Sequence, residues 1–210
     1  MTKKPIIFDH PLISHKVALL RDVNTDTKLF RALVEEISTL MAYEALKDIP
    51  TETKEIITPL ESVNHVVIKD NSVAILPVLR AGLGMVNGVL ALMPTANVGH
   101  IGLYRDKEAK QISQYYCKLP QGIENQVAIV LEPMLASGDS LCQAIDLVKQ
   151  SGCKEIKVMC IISAPEGIAK VQEQHPDVQL YIACNDRCLD SNGFILPGLG
   201  DAGSRLFGTK

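Results

Sequence analysis

The sequence predicts an α/β fold, a mostly parallel sheet flanked by helices, in one domain spanning residues 1–210. Three observations carry this. Apolar runs of strand length alternate with stretches of helical periodicity along the chain. The segment Val127-Ala-Ile-Val-Leu131, a small-residue turn and the periodic stretch Leu141 to Val148 read together as buried strand, tight turn and helix. The 210 residues, 47 % of them hydrophobic, suffice for a full core. Such alternation covers a sheet on both faces, and function is then expected at the carboxyl ends of its strands.

The elements follow in order. Asn24-Thr-Asp-Thr27 offers a helix N-cap. Beyond it Phe30, Leu33, Val34, Ile37, Leu40 and Met41 recur at helical spacing, with Glu35 and Glu36 on the wet side, so a helix runs to about Ala45. Ser72 to Leu79 reads as a strand, Leu83 to Met93 as a helix and Val98 to Leu103 as a strand. The polar region from about Arg105 to Gln121, with Tyr115 and Tyr116, separates two core strands and is expected to form a hairpin or a mobile loop over the site. Val127 to Glu132 is a strand, and a helix from about Asp139 to Gln150 stops near Gly152. Ile156 to Ser163 is a strand, Pro165 to Gln174 a helix with Pro in its first turn, and Val178 to Ala183 a strand. Gly193 to Lys210 is Gly-rich and not periodic, an ordered loop with a functional use.

Composition excludes several classes. No apolar run approaches the ~20 residues that span a bilayer. The first residues, Met-Thr-Lys-Lys-Pro-Ile-Ile-Phe-Asp-His, lack a signal peptide's apolar core, so a cytoplasmic location is expected. A net charge of −3 gives no electrostatic case for binding nucleic acid. Cys117, Cys142, Cys153, Cys160, Cys184 and Cys188 form no Cys-x-x-Cys pair, and neither cysteines nor histidines show metal-ligand spacing. They read as reduced structural thiols, with Cys184 and Cys188 the pair to watch for redox chemistry.

The chemistry concentrates in Glu132-Pro-Met-Leu-Ala-Ser-Gly-Asp-Ser140. An acid ending a buried strand can accept hydrogen bonds from ribose hydroxyls. Small turn residues let backbone N–H groups close on a phosphate at the helix N-terminus, where the dipole favours an anion. The bland alternative is an ordinary strand-to-helix turn with Ser as cap. A second stretch, Leu76-Pro-Val-Leu-Arg-Ala-Gly-Leu-Gly84, carries glycines near a dinucleotide fingerprint, but no acid ends a following strand at the required spacing. Leu103-Tyr104-Arg105-Asp106 and Phe194-Ile-Leu-Pro-Gly-Leu-Gly-Asp-Ala-Gly203 complete the set.

These motifs resemble those of the uracil phosphoribosyltransferases, over nearly the whole chain from His10-Pro-Leu to Gly208-Thr-Lys210. The usual family wording of the first is Asp-Pro-Met-Leu-Ala-Thr-Gly-Gly-Ser, so Glu132, Ser137 and Asp139 depart from it. The resemblance implies a phosphoribosyltransferase-like fold with a hood or flexible loop and a C-terminal base-binding loop. It implies transfer of the 5-phosphoribosyl group from phosphoribosyl pyrophosphate (PRPP) to uracil, giving UMP and pyrophosphate. It assigns Arg80, Arg105 and Asp201 as catalytic. It places PRPP on Arg80, Arg105, Glu132, Pro133, Met134, Leu135, Ala136, Ser137, Gly138, Asp139, Ser140 and Asp201. Uracil falls to Ile195, Gly200, Asp201 and Ala202, largely through backbone groups. Mg²⁺ is implied as cofactor, held mainly by PRPP and waters with Asp201 reaching its water shell. A homo-oligomer (dimer or tetramer) and activation by GTP are implied as well. His10 and His15 are read as structural.

Asp139 brings a negative charge to a phosphate site. Its carboxylate is therefore expected to point outward, its backbone must suit a non-Gly residue, and weaker PRPP affinity is the expected cost. Two rivals stay open: an RNA-binding pyrimidine sensor, and a catalytically weak paralogue that binds PRPP or UMP. The second rests on Glu132, Ser137 and Asp139.

Overall fold

The structure of the protein is a computed structural model that describes residues 2–105 and 112–209, and of Arg105 the backbone alone. In chain order its elements are β1 (Ile6–Ile7), α1 (Pro11–Arg21), α2 (Thr27–Ala45), β2 (Thr51–Ile57), β3 (Ser62–Ile68), β4 (Val73–Leu79), α3 (Leu83–Leu90), β5 (Asn97–Val98), β6 (His100–Arg105) and β7 (Ile112–Lys118). They continue with β8 (Val127–Leu131), β9 (Met134–Leu135), α4 (Asp139–Gln150), β10 (Glu155–Ser163), α5 (Pro165–Gln174), β11 (Gln179–Asn185), β12 (Cys188–Leu189), β13 (Ile195–Leu196) and α6 (Ala202–Phe207).

Among the described residues the main sheet runs β1-β11-β10-β8-β4-β6-β7, with β5 also beside β4 and β9 beside β10. All its pairings are parallel except β6 with β7 at the edge. The central strands are buried on both faces, which is why they read as unbroken apolar runs. On β8, Val127, Ile129 and Leu131 join the core formed with α1, α2, α3 and α6. Ala128 and Val130 point the other way, into the core under α4 and α5.

Local chemistry explains the helix ends. The Asp26 side chain accepts from Leu29 N at 2.8 Å and starts α2 within the expected capping segment. Pro165 opens α5 as expected. Helix α3 ends at Leu90, short of Met93, although Ala91 N and Met93 N still bond back to Asn87 O and Val89 O before Pro94 stops any continuation. The strand expected over Val98 to Leu103 is two pieces: Gly99 N bonds to Ile75 O at 3.0 Å between β5 and β6, and β6 then continues to Arg105. Strand β8 stops at Leu131, one residue before Glu132.

Three features go beyond the sequence reading. Helix α1 begins at Pro11, with the His10 ring nitrogen accepting from Leu12 N at 3.1 Å. Strands β2 and β3 form an antiparallel hairpin from Thr51↔Ile68 to Ile57↔Ser62. The C-terminal segment, expected as a loop throughout, holds β13 and α6. Of the region from Arg105 to Gln121, β7 pairs back on β6 as a hairpin, while residues 106–111 lie outside the described residues.

Candidate active site

The phosphate-type turn sits at the carboxyl end of β8, where a parallel α/β sheet leaves its crevice. A cavity of about 390 Å³ is lined by Glu132, by Met134 to Leu141, and by Asn192 and Gly193. Pro133 is buried behind this surface, its carbonyl accepting from Ile161 N and Ile162 N, both at 3.0 Å. Gly138 caps α4 with φ +85°, a left-handed conformation natural to glycine. Asp139 follows as the first helical residue, so its backbone is ordinary. Its carboxylate accepts from Ser137 Oγ at 2.8 Å and pairs with Lys170 Nζ of α5.

Glu132 is partly buried, and its N–H reaches Met159 O at 3.2 Å. Burial pushes its carboxyl up to about 8, against the opposing pull of the Met134 backbone N–H. At neutral pH it is therefore mostly protonated, able to donate as well as accept.

The loop after β4 comes alongside. Arg80 follows a cis Leu79–Arg80 peptide bond. Gly82 then passes so close to β8 that a Cβ would stand 2.4 Å from Leu131 O and 2.7 Å from the Val78 backbone. Only glycine permits this approach, and it brings Arg80 to the end of the strand that leads into Glu132. The Arg80 guanidinium stands over the Phe207 ring, 5.6 Å from its centroid. The backbone of Arg105 ends β6, opposite Ile112. Its side chain lies outside the described residues.

The C-terminal loop closes the constellation. Ala202 N lies 3.4 Å from Met134 Sδ, joining the base-type loop to the phosphate-type loop. Asp201 caps α6, its Oδ1 accepting from Ser204 N at 2.6 Å. Ile195 is buried in β13, and Gly200 takes φ +80°. Arg80, the run from Glu132 to Ser140, and Asp201 with Ala202 are thus drawn to the carboxyl-end side of the sheet by loops distant in sequence.

Several supporting residues were missed in the sequence. Arg21 Nη1 donates to Asp186 Oδ2 at 2.8 Å and to Gly198 O at 2.7 Å, while Gly198 N donates to Asp186 Oδ2 at 2.9 Å. The pair therefore holds both backbone groups of Gly198. Cys184 Sγ accepts from Arg21 Nη2 at 3.2 Å, and all six cysteines are free thiols. Arg205 Nη1 donates to Leu20 O at 2.8 Å and Leu199 O at 2.9 Å, and its guanidinium covers Phe30. Asn192 and Gly193 reach the cavity on a turn built by Asp190 Oδ1, which accepts from Asn192 N and Phe194 N, both at 2.8 Å. The turn composition Asp-Ser-Asn-Gly was the available signal. Arg21 and Asp186 gave none, being 165 residues apart.

Burial alone would raise the Asp186 carboxyl, but the Arg21 hydrogen bond and the Gly198 N–H outweigh it and hold it below the usual range. The resulting stabilisation is present at neutral pH and lost as pH falls through that depressed value. Asp186→Asn is expected to lower stability at pH 7 by about 1–3 kcal/mol, with a smaller difference from wild type in acid, below that depressed value. Urea unfolding at the two pH values measures this. An undiminished difference in acid would show that charge is not the cause.

A larger hollow of about 670 Å³ lies at the opposite, amino ends of the strands, around Ser72 and Gln126. Size alone therefore does not find the site. None of the residues singled out by their chemistry lines it.

Comparison with known proteins bears on family and fold. The family model described as uracil phosphoribosyltransferase matches residues 7–209. A uracil phosphoribosyltransferase of Bacillus thuringiensis (strain Al Hakam) is 53 % identical over 207 residues, covering 99 % of each chain. Among solved structures, the AQ2163 protein of Aquifex aeolicus is 34 % identical with a TM-score of 0.93, over 97 % of this chain and 98 % of that one. A hypoxanthine phosphoribosyltransferase of Staphylococcus aureus shares the fold at 10 % identity and a TM-score of 0.52, over 87 % of this chain and 84 % of its own.

Proposed function

The chain belongs to the uracil phosphoribosyltransferase family, and from that premise we propose how its residues transfer the 5-phosphoribosyl group of PRPP to uracil, giving UMP and pyrophosphate. The observation that carries the proposal is the junction at Met134 and Ala202, where the phosphate-type and base-type loops meet. Two substrates bound to these loops would have their reacting ends side by side, which turns a bimolecular reaction into a matter of orientation.

In the reaction a bond forms between uracil N1 and ribose C1. The bond from C1 to the pyrophosphate oxygen breaks, pyrophosphate keeps the electron pair, and the N1 proton is released. Positive charge develops on the ribose as in other glycosyl transfers. Glu132 holds the ribose hydroxyls. The backbone N–H groups of Gly138 to Ser140 hold the 5′-phosphate. Arg80 and Arg105 grip the pyrophosphate and stabilise its growing charge. Uracil is read by backbone groups of Ile195 and of Gly200 to Ala202. The Ala202 N–H now faces a thioether, a weak acceptor, which a uracil carbonyl oxygen replaces with gain. Cytosine presents a donor where uracil presents an acceptor, and the unpaired group makes its rejection strong.

Among the described residues no three His, Cys, Asp or Glu side chains gather as a metal cage. The resemblance supports Mg²⁺ entering with PRPP, where the substrate's oxygens and waters would hold it and Asp201 would touch the water shell. When bound, such an ion would supply positive charge beside the leaving pyrophosphate. The cap bond to Ser204 N orients Asp201, and no general base is assigned.

A homo-oligomer, dimer or tetramer, is supported by the β2–β3 hairpin, whose Ile57 and Leu60 are 84 % and 95 % exposed. A GTP response is proposed on the resemblance. No helix among the described residues is long and apolar enough to cross a membrane. A cytoplasmic location and the absence of a nucleic-acid partner are proposed from charge and composition. No observation favours the sensor or the catalytically weak paralogue.

The test is UMP formation from uracil and PRPP with Mg²⁺, with orotate, cytosine and hypoxanthine in parallel and with GTP added in turn. Turnover confined to uracil is expected. Binding of UMP without turnover would return the reading to the weak paralogue.

A further inference from the structure

We propose that Lys170 is a positioning residue of the phosphate site, holding the Asp139 carboxylate away from the bound 5′-phosphate and cancelling its charge. The role rests on the reading of Gly138 to Ser140 as the phosphate cradle.

Three observations build it. Asp139 opens α4, so its N–H lies in the cradle and its carboxylate within a few bonds of it. That carboxylate is gripped from two sides, by Ser137 Oγ on Oδ2 at 2.8 Å and by Lys170 Nζ on Oδ1. The lysine is itself placed by close backbone packing. Helix α5 lays Gly167 and Lys170, three residues apart and therefore on one face, against the turn. A Cβ on Gly138 would stand 3.1 Å from Gly167 O and 3.4 Å from Lys170 Cβ, and a Cβ on Gly167 would stand 2.3 Å from Ala136 O. The loop and α5 thus fit as one unit.

The electrostatic consequence is direct. A phosphate dianion near an unpaired carboxylate in a poorly solvated cradle is repelled. With Lys170 paired to Asp139 the formal charges of these two side chains cancel, and the cradle's N–H groups and helix dipole favour the anion. The side chains are 36 % and 29 % exposed, so the pair adds little to folding stability. Its effect falls on the ligand's charge instead.

The experiment is a double-variant cycle on the full chain, with UMP affinity by calorimetry, KM for PRPP and for uracil, and thermal melting without ligand. Lys170→Met is expected to weaken UMP binding and raise KM for PRPP at least about tenfold, leaving KM for uracil and the melting temperature near wild type. Lys170→Arg keeps the charge and is expected to restore affinity. Removing the carboxylate should remove the need for the lysine, so Asp139→Gly and Asp139→Gly with Lys170→Met are expected to bind UMP alike. An unchanged affinity in Lys170→Met overturns the proposal, and so does an equal loss in the Asp139→Gly background, which would make Lys170 a direct phosphate ligand or a fold element. Wild-type protein that bound uracil but neither UMP nor PRPP would instead overturn the cradle itself.

Discussion

Replacing Arg80 by Ala is expected to lower kcat/KM for PRPP by about 10²–10³-fold, with kcat carrying most of the loss and KM for uracil nearly unchanged. The argument runs from backbone to charge. Gly82 fits against Leu131 O only for want of a Cβ, and this fixes the turn that carries Arg80 beside the strand leading to Glu132. Pyrophosphate is the group on which charge grows as the C1–oxygen bond breaks. A guanidinium held there gains strength as the reaction proceeds, so its removal acts on the transition state more than on the bound substrate. Arg80→Lys keeps a charge but loses the planar fork, and should recover only part of the activity. Stability should hardly move, since the contact with Phe207, at 5.6 Å to its centroid, contributes only about 0.5–1 kcal/mol. Initial-rate kinetics with PRPP varied, beside a melting curve, separates the two effects. A variant with wild-type kcat/KM would remove Arg80 from the catalytic set.

What was legible in the sequence was what is contiguous in it. The run Val127 to Ser140 contains its own strand, turn and helix start, so periodicity and turn chemistry located the elements. Helices α2, α4 and α5 announce themselves by apolar spacing, by the cap at Asp26 and by Pro165 in the first turn. Helix α6 gave no such signal. It has six residues, too few for a periodic face, and it is held by Asp201 at its cap and by Arg31 Nε on Leu206 O at 2.5 Å. The β2–β3 hairpin presents Val66 and Ile57 to solvent, so the inside–outside alternation that marks a half-buried strand is missing. The supports of the site were invisible for a different reason. Arg21 with Asp186, and Lys170 with Asp139, are meetings of distant segments, and one chain read in order contains no record of which charges will face each other. The Asp139 carboxylate could be given no partner from α5 in the sequence, because Lys170 lies 31 residues away.

In its proposed ribose role Glu132 sets function against stability. Its carboxyl is pushed up to about 8 by burial. A native carboxyl above its unfolded value favours folding fully below the unfolded value, near 4.5, and that contribution is lost as pH rises through about 8. Glu132→Gln carries no charge at any pH. The variant is therefore expected to melt several degrees above wild type at pH 9 and close to it at pH 5 (a ΔΔG of 1 kcal/mol moves Tm by roughly 2–4 °C in a chain of this size). Activity should move the other way. The amide keeps one acceptor but replaces the second oxygen with an NH₂ that must meet a ribose hydroxyl as donor only. Loss of one good hydrogen bond should raise KM for PRPP by about tenfold, and the melting shift produced by PRPP should shrink accordingly. Melting curves at pH 5 and 9, with and without PRPP, contain both results. An equal Tm difference at the two pH values would mean that Glu132 ionises like a surface carboxylate, and its place in the ribose site would then rest on acceptance alone. A higher Tm at pH 9 together with weaker PRPP binding would show a buried acid retained at a cost in stability because the ribose needs it.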